Sequence, residues 1–127
     1  MDVLIDSTKT FEKDLEKLSP EKKAITIQKI NDCATLFYSS NAHAYRKLRT
    51  IPLLSGLNGY ESSLYTLRVS DNLRVILTVD EDPIFKQTIF TLFRVVKRND
   101  LVMSYNSIAD SLYKEIMHQH QEVAQSS

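Results

Sequence analysis

The sequence predicts an α+β domain: helices at both ends packed on a twisted antiparallel sheet of about four to five strands. Three observations point there. Apolar residues recur at helical spacing before residue 40 and after residue 100. They alternate at period two across 65–79. The run 88–96 is apolar on both faces in its middle. A chain of 127 residues falls within the span of one domain. At that size roughly two-thirds of the unfolded surface can be buried, so a core needs neither disulfide nor metal.

The apolar run 3–5 precedes Ser7 and Thr8, either of which can cap a helix. Phe11, Leu15 and Leu18 then follow at i, i+4 and i+7, with Glu12, Lys13, Asp14, Glu16 and Lys17 on the other sides. Ser19-Pro20-Glu21 restarts the chain with an N-cap, a first-position proline and a first-turn carboxylate. Ile27, Ile30, Ala34 and Phe37 form the second stripe, and Ser39-Ser40-Asn41 ends it. Two amphipathic helices joined by a tight turn predict an N-terminal helical hairpin that lays its apolar face on the sheet.

Residues 48–54 predict a strand, with Pro52 implying an edge or a bulge. The segment 55–63 holds both glycines of the chain and so the sharpest backbone turn. Tyr65, Leu67 and Val69 alternate with Thr66, Arg68 and Ser70. Leu73, Val75, Leu77 and Val79 alternate with Arg74, Ile76 and Thr78. Parity chooses the register of this hairpin. A two-residue loop at Asp71-Asn72 would put the two arginines on opposite faces and mix charge into a core. A three-residue loop at 71–73 pairs Val69 with Val75, Leu67 with Leu77 and Tyr65 with Val79. It places Ser70 opposite Arg74, Arg68 opposite Ile76, and both arginines on one face.

Asp80-Glu81-Asp82-Pro83 reads as an acidic turn, and Arg94, inside the apolar run, as an ion-pair partner for Asp80 or Glu81. Asp100 is placed to cap a last helix whose stripe is Leu101, Tyr105, Ile108, Leu112 and Ile116. The polar tail from about residue 118 is expected to fray.

Charge adds a second kind of information. Sixteen basic and sixteen acidic residues cancel, and the pI is about 6.8, which argues against coating nucleic acid or membranes by bulk electrostatics. All six arginines nevertheless fall between residues 41 and 100, at positions 46, 49, 68, 74, 94 and 98. Arginine's planar fork suits phosphate. Cys33, alone within a helical pattern, reads as a small buried filler. His118 and His120 are two apart in a helix, which directs them to different sides and argues against a metal pair. Neither a signal peptide nor a membrane span is visible, so a cytoplasmic location is expected.

The order strand, two helices, antiparallel hairpin, central strand, with arginines at strand ends, resembles the RelE/ParE superfamily of bacterial toxins. The likeness is carried by Tyr45-Arg46-Lys47-Leu48, by the Gly56 to Gly59 loop, by Tyr65-Thr66-Leu67-Arg68-Val69 with Leu73-Arg74-Val75-Ile76, and by Val96-Lys97-Arg98. With the element order included, the resemblance covers about residues 3–105. The resemblance implies a single RelE-like toxin domain over 1–127. Its function would be a ribosome-associated mRNA endoribonuclease that needs no metal or other cofactor. In such chemistry the 2′-hydroxyl attacks the adjacent phosphate, which requires a proton acceptor, a donor for the leaving 5′-oxygen, and cations around a phosphorane.

Position by position, the resemblance assigns catalytic roles to Arg68, Arg74 and Arg98, and RNA binding to Lys47, Arg49 and Lys97. The family's tyrosine near the C-terminus falls on Ser104 by strict spacing, with Tyr105 one residue later as the candidate acid. Tyr105 also belongs to the apolar stripe. Thr66 stands where some relatives have a lysine, which Lys47 or Arg49 would replace from the neighbouring strand. The alternatives are a protein-directed poison resembling the gyrase-directed branch, and a folded relative without toxicity. Overall neutrality favours these, and the arginine cluster favours the ribonuclease. Every reading implies an antitoxin partner, with mRNA on the ribosome in the enzyme case, no membrane, and a homodimer or a heterotetramer with antitoxin as candidate assemblies. The C-terminal helix groove and Leu53, Leu54 and Leu57 are the candidate antitoxin contacts.

Overall fold

The structure is a computed structural model that describes residues 2–53 and 63–126, with side chains described through residue 115. Its elements are β1 (Asp2–Ser7), α1 (Lys9–Glu16), α2 (Pro20–Ser39), α3 (Asn41–Arg46), β2 (Leu48–Arg49), β3 (Leu64–Arg68), β4 (Leu73–Asp82), β5 (Gln87–Lys97), a 3-10 turn (Arg98–Asp100) and α4 (Leu101–Ser126). The strands form one sheet in the order β1-β5-β4-β3-β2. That sheet is mixed, which corrects the expectation of an all-antiparallel one. The first apolar run is a strand lying parallel to β5, from Asp2 opposite Gln87 to Ser7 opposite Leu92. Parallel neighbours need a long crossover, and the whole chain between them supplies it.

Caps start the first two helices where the side-chain chemistry suggested. The Thr8 hydroxyl accepts the Phe11 N–H at 3.1 Å, and Ser19 accepts that of Lys22 at 3.4 Å ahead of Pro20. The buried face of α2 is Thr26, Ile30, Cys33, Ala34 and Phe37, while Ile27 is 42% exposed. Thr26 can take the interior place because its hydroxyl donates to the Lys22 carbonyl at 2.7 Å. The main packing of α1 is with β5, and that of α2 with α3 and β1. The expected helical hairpin packed on the sheet is not confirmed by this arrangement. Ser40 ends α2 and caps the short α3, its hydroxyl accepting the His43 N–H.

The strand expected over 48–54 contracts to Leu48–Arg49 at the sheet edge, and Leu53 packs instead beneath α4. The two glycines, with Leu54 and Leu57, lie outside the described residues. The acidic stretch belongs to the end of β4 rather than to a turn. The turn is 83–86, where the Asp82 carboxylate accepts the N–H groups of Ile84 (3.0 Å) and Phe85 (3.2 Å) and Lys86 has a φ of 54°. Asp100 lies in the 3-10 turn and does not cap α4.

Alternation along the strands gives two cores. One face buries Leu67, Val75, Leu77 and Phe90 against Phe11, Ile30 and Phe37, and the other buries Leu64, Ile76 and Val96 against Tyr105 and Ala109 of α4. On β5, Leu92 faces Leu77 and Arg94 faces Ile76, so Phe93 is a bulge, set where β1 ends. Beyond it β5 is an open edge, and α1 closes it. Asp14 accepts Arg94 Nε (2.6 Å), Arg94 Nη2 (3.3 Å) and the Val95 N–H (3.1 Å). Arg94 thus pairs with Asp14, not with Asp80 or Glu81. No described helix is long and apolar enough to cross a membrane.

Candidate functional site

The β3–β4 loop builds the site. Arg68 stands directly across from Arg74 and Leu67 across from Val75, and the Val69 N–H donates to the Leu73 carbonyl at 3.0 Å. The loop is therefore 70–72, one step earlier than the expected 71–73. Parity is the same, so the arginines share a face, but Arg68 no longer faces Ile76. Leu73 explains the shift: paired with Val69 it is 5% exposed, whereas a loop at 71–73 would spend it in the turn.

Like charges placed opposite one another on adjacent strands repel, so each guanidinium needs other partners. Arg68 forms an ion pair with Asp71 and keeps a side chain 65% exposed. Arg74 turns Nη1 toward the carbonyl oxygens of Ser70, Leu73 (3.0 Å) and Asp71 (3.4 Å), and so clasps its own loop. Arg98 arrives from the end of β5, where its N–H donates to the Asn72 carbonyl at 2.9 Å. Partial burial, then the like charges of Arg68 and Arg98, lower the Arg74 pKa, with Asp71 opposing them. The group still stays protonated at any working pH. An anion bound at this corner would relieve the mutual repulsion of three guanidinium groups, and a phosphate oxygen fits their forks.

The other sequence candidates are distributed around this corner. Lys97 is exposed at the end of β5, opposite Leu73. Lys47 ends α3 and, with Arg68, borders a recess of about 290 Å³ beside α2. Arg49 is directed elsewhere, its Nη1 donating to the carbonyls of Arg46 (2.7 Å) and Leu48 (3.1 Å). Tyr105 is in the core at 2% exposure, and its hydroxyl donates to the Leu64 carbonyl at 2.7 Å. Burial pushes that phenol's pKa up, a backbone hydrogen bond from Ile51 opposes it, and nearby Tyr65 adds to the rise. Its place is that of a stripe residue. Two participants were not singled out from sequence. Asp71 had only a loop role, although its i,i+3 spacing from Arg68 was a legible signal, and the Asn72 carbonyl tethers Arg98 in a way no side-chain pattern records.

Comparison with known proteins gives matches of one kind. No protein-family model and no curated protein matches the chain. Among solved structures it is similar to a chain of the toxin-antitoxin complex RelBE2 from Mycobacterium tuberculosis, at 17% identity and a TM-score of 0.47, covering 77% of this chain and 100% of that one. It is similar to a chain of the RelB-RelE antitoxin-toxin complex from Methanococcus jannaschii, at 22% identity and a TM-score of 0.48, covering 76% and 93%. A chain of the archaeal RelE-RelB complex from Pyrococcus horikoshii is similar at 19% identity and a TM-score of 0.49, covering 77% and 97%.

Proposed function

We propose that this chain is the toxin of a toxin-antitoxin pair and that its arginine corner grips an RNA phosphate. One observation supports this above the others: Arg98 from the end of β5 joins Arg68 and Arg74, which flank the β3–β4 loop. In the reading the residues favour, mRNA on the ribosome is the substrate. The 2′-hydroxyl gives up its proton and its oxygen bonds to the adjacent phosphorus, the bond to the 5′-oxygen breaks as that oxygen takes up a proton, and a 2′,3′-cyclic phosphate and a free 5′-hydroxyl are left. The arginines stabilise the charge that develops on the phosphorane oxygens. Lys97 and Lys47 extend the cationic surface along the RNA. The partner is an antitoxin that neutralises this corner with acidic side chains, in a cytoplasmic complex.

A second reading has its own observation. Tyr105, the candidate acid, is withdrawn into the core, which favours a protein-directed poison that binds through the same cations and cuts nothing.

Expression from a tight promoter, with mapping of mRNA 5′ ends, separates the readings. Wild type should produce new in-frame cleavages, and Arg74→Ala should reduce them by roughly 100-fold or more, the scale of losing one transition-state donor. Arg74 also clasps its loop, so Arg98→Ala serves as a second variant. Growth arrest with intact mRNA would replace the ribonuclease by the poison, and absence of arrest would remove the toxin reading altogether.

A further inference from the structure

The zero net charge hides a polarised molecule. Arg68, Arg74, Lys97 and Arg98 gather where β3 ends, β4 begins and β5 ends. At the other end of β4 stand Asp80, Glu81 and Asp82, with Asp2 beside them, since the Asp2 N–H donates to the Lys86 carbonyl at 3.1 Å. Lys86 is the one opposing charge of the 83–86 turn. Neutral groups hold the acids: Ser63 donates to Asp80 (3.0 Å), Asn41 to Glu81 (2.7 Å), and two turn amides to Asp82. At about 3.3 Å per residue, the ten residues of β4 put roughly 30 Å between the poles.

The acidic pole carries an apolar tip. Ile84 is 82% exposed and Phe85 73%, both on a turn made rigid by the Asp82 carboxylate. Two adjacent large apolar side chains this exposed bury little surface in the fold and favour contact with another surface. The basic pole carries the complement. Between the α1–α2 turn, the end of β5 and the start of α4 lies a groove of about 500 Å³, with Leu18, Leu73 and Val96 in its walls and Lys17, Lys22 and Lys97 among its lining. Met103, 79% exposed, stands at its mouth. Asp14 also lines it but is neutralised by Arg94, which leaves Asp100 as the acid opposing three lysines.

We infer that the occupant of this groove is a second copy of this chain, whose Ile84-Phe85 tip inserts with its acidic flank against the lysines. Both halves of the contact are on the same sequence, opposite in charge and alike in apolar character. Because they lie at opposite poles, the contact is heterologous and adds copies head to tail. A tip of four turn residues covers little area, so association is weak and weakens further with salt. Asn72 and Lys97 border both the groove and the arginine corner, so an occupied groove narrows access to the guanidinium groups.

Sedimentation velocity of the purified chain, from about 10 µM to about 1 mM, brackets the affinities expected of so small a contact. The weight-average mass should rise above 14.6 kDa with concentration and fall back in high salt. Two variants locate the contact. Ile84→Ser/Phe85→Ser removes the tip, and Lys17→Glu/Lys22→Glu reverses the groove. Each alone should stay monomeric, while an equimolar mixture should form a 1:1 dimer and nothing larger, which also reports that both are folded. Wild type that stays monomeric throughout, as expected if a different protein fills the groove, overturns the inference. So does a mixture that fails to pair, as a symmetric tip-to-tip contact would.

Discussion

The Tyr105 hydroxyl donates to the Leu64 carbonyl, 2.7 Å away under α4, and this gives the residue a test of its role. Tyr105→Phe removes this buried hydrogen bond together with the one the phenol accepts from the Ile51 backbone, and should cost about 1–2 kcal/mol in urea denaturation. Activity per folded molecule should stay at the wild-type level, whereas a true catalytic acid would lose at least about tenfold without losing stability. Cys33, 2% exposed, has its thiol pushed up to about 11 by burial, with Lys47 opposing. Its folded pKa lies above the ordinary thiol value of 9.0, so the unfolded chain releases this proton first as pH rises. The stabilising contribution is full below pH 9 and should be lost between about pH 9 and 11. Comparing urea midpoints of wild type and Cys33→Ala across that window reads it, because the alanine variant lacks this component of the slope.

At the scale of elements, the half of β5 beyond the end of β1 is the instructive case. An interior strand loses its neighbour β1 at Leu92 and continues to Lys97 as an edge. Thr8 starts the repair: its hydroxyl donates to the Phe93 carbonyl at 3.2 Å while accepting the first-turn N–H of α1. Asp14 completes it with the Val95 N–H and Arg94. Asp14→Ala removes an acceptor from a buried backbone donor and from a partly exposed guanidinium together. The expected loss is about 2–3 kcal/mol, discounted for the solvent that reaches Arg94. Urea or thermal denaturation measures it, and a change under ~0.5 kcal/mol would mean that solvent already serves Val95.

Across the whole molecule, stability should be graded by position in the sheet. The middle strand β4 is paired on both sides, with Val75, Ile76 and Leu77 fully buried. The outer strand β1 is paired on one side and exposes Leu4 (48%) and Ile5 (42%). Hydrogen exchange should find the β4 amides opening only with global unfolding and the β1 amides exchanging well ahead of them. Equal protection in the two strands would contradict this grading.

Local chemistry made much of this legible in advance. Helix starts at Thr8 and Ser19, the strands around 65–69 and 73–79, the C-terminal stripe and the shared face of Arg68 and Arg74 each follow from capping, period or parity within a few residues. Tertiary structure decided what depends on partners distant in sequence. The parallel pairing of β1 with β5, the Asp14–Arg94 pair and the union of Arg98 with the β3–β4 loop join residues about 25 to 90 positions apart. No period or spacing encodes such pairings. Tyr105 shows the same division: its sequence position suits both stripe and site, and only the fold places its hydroxyl on the Leu64 carbonyl. The net charge was fully determined by the sequence, but its separation into two poles arises from strand order, because folding and not composition sets where charges stand.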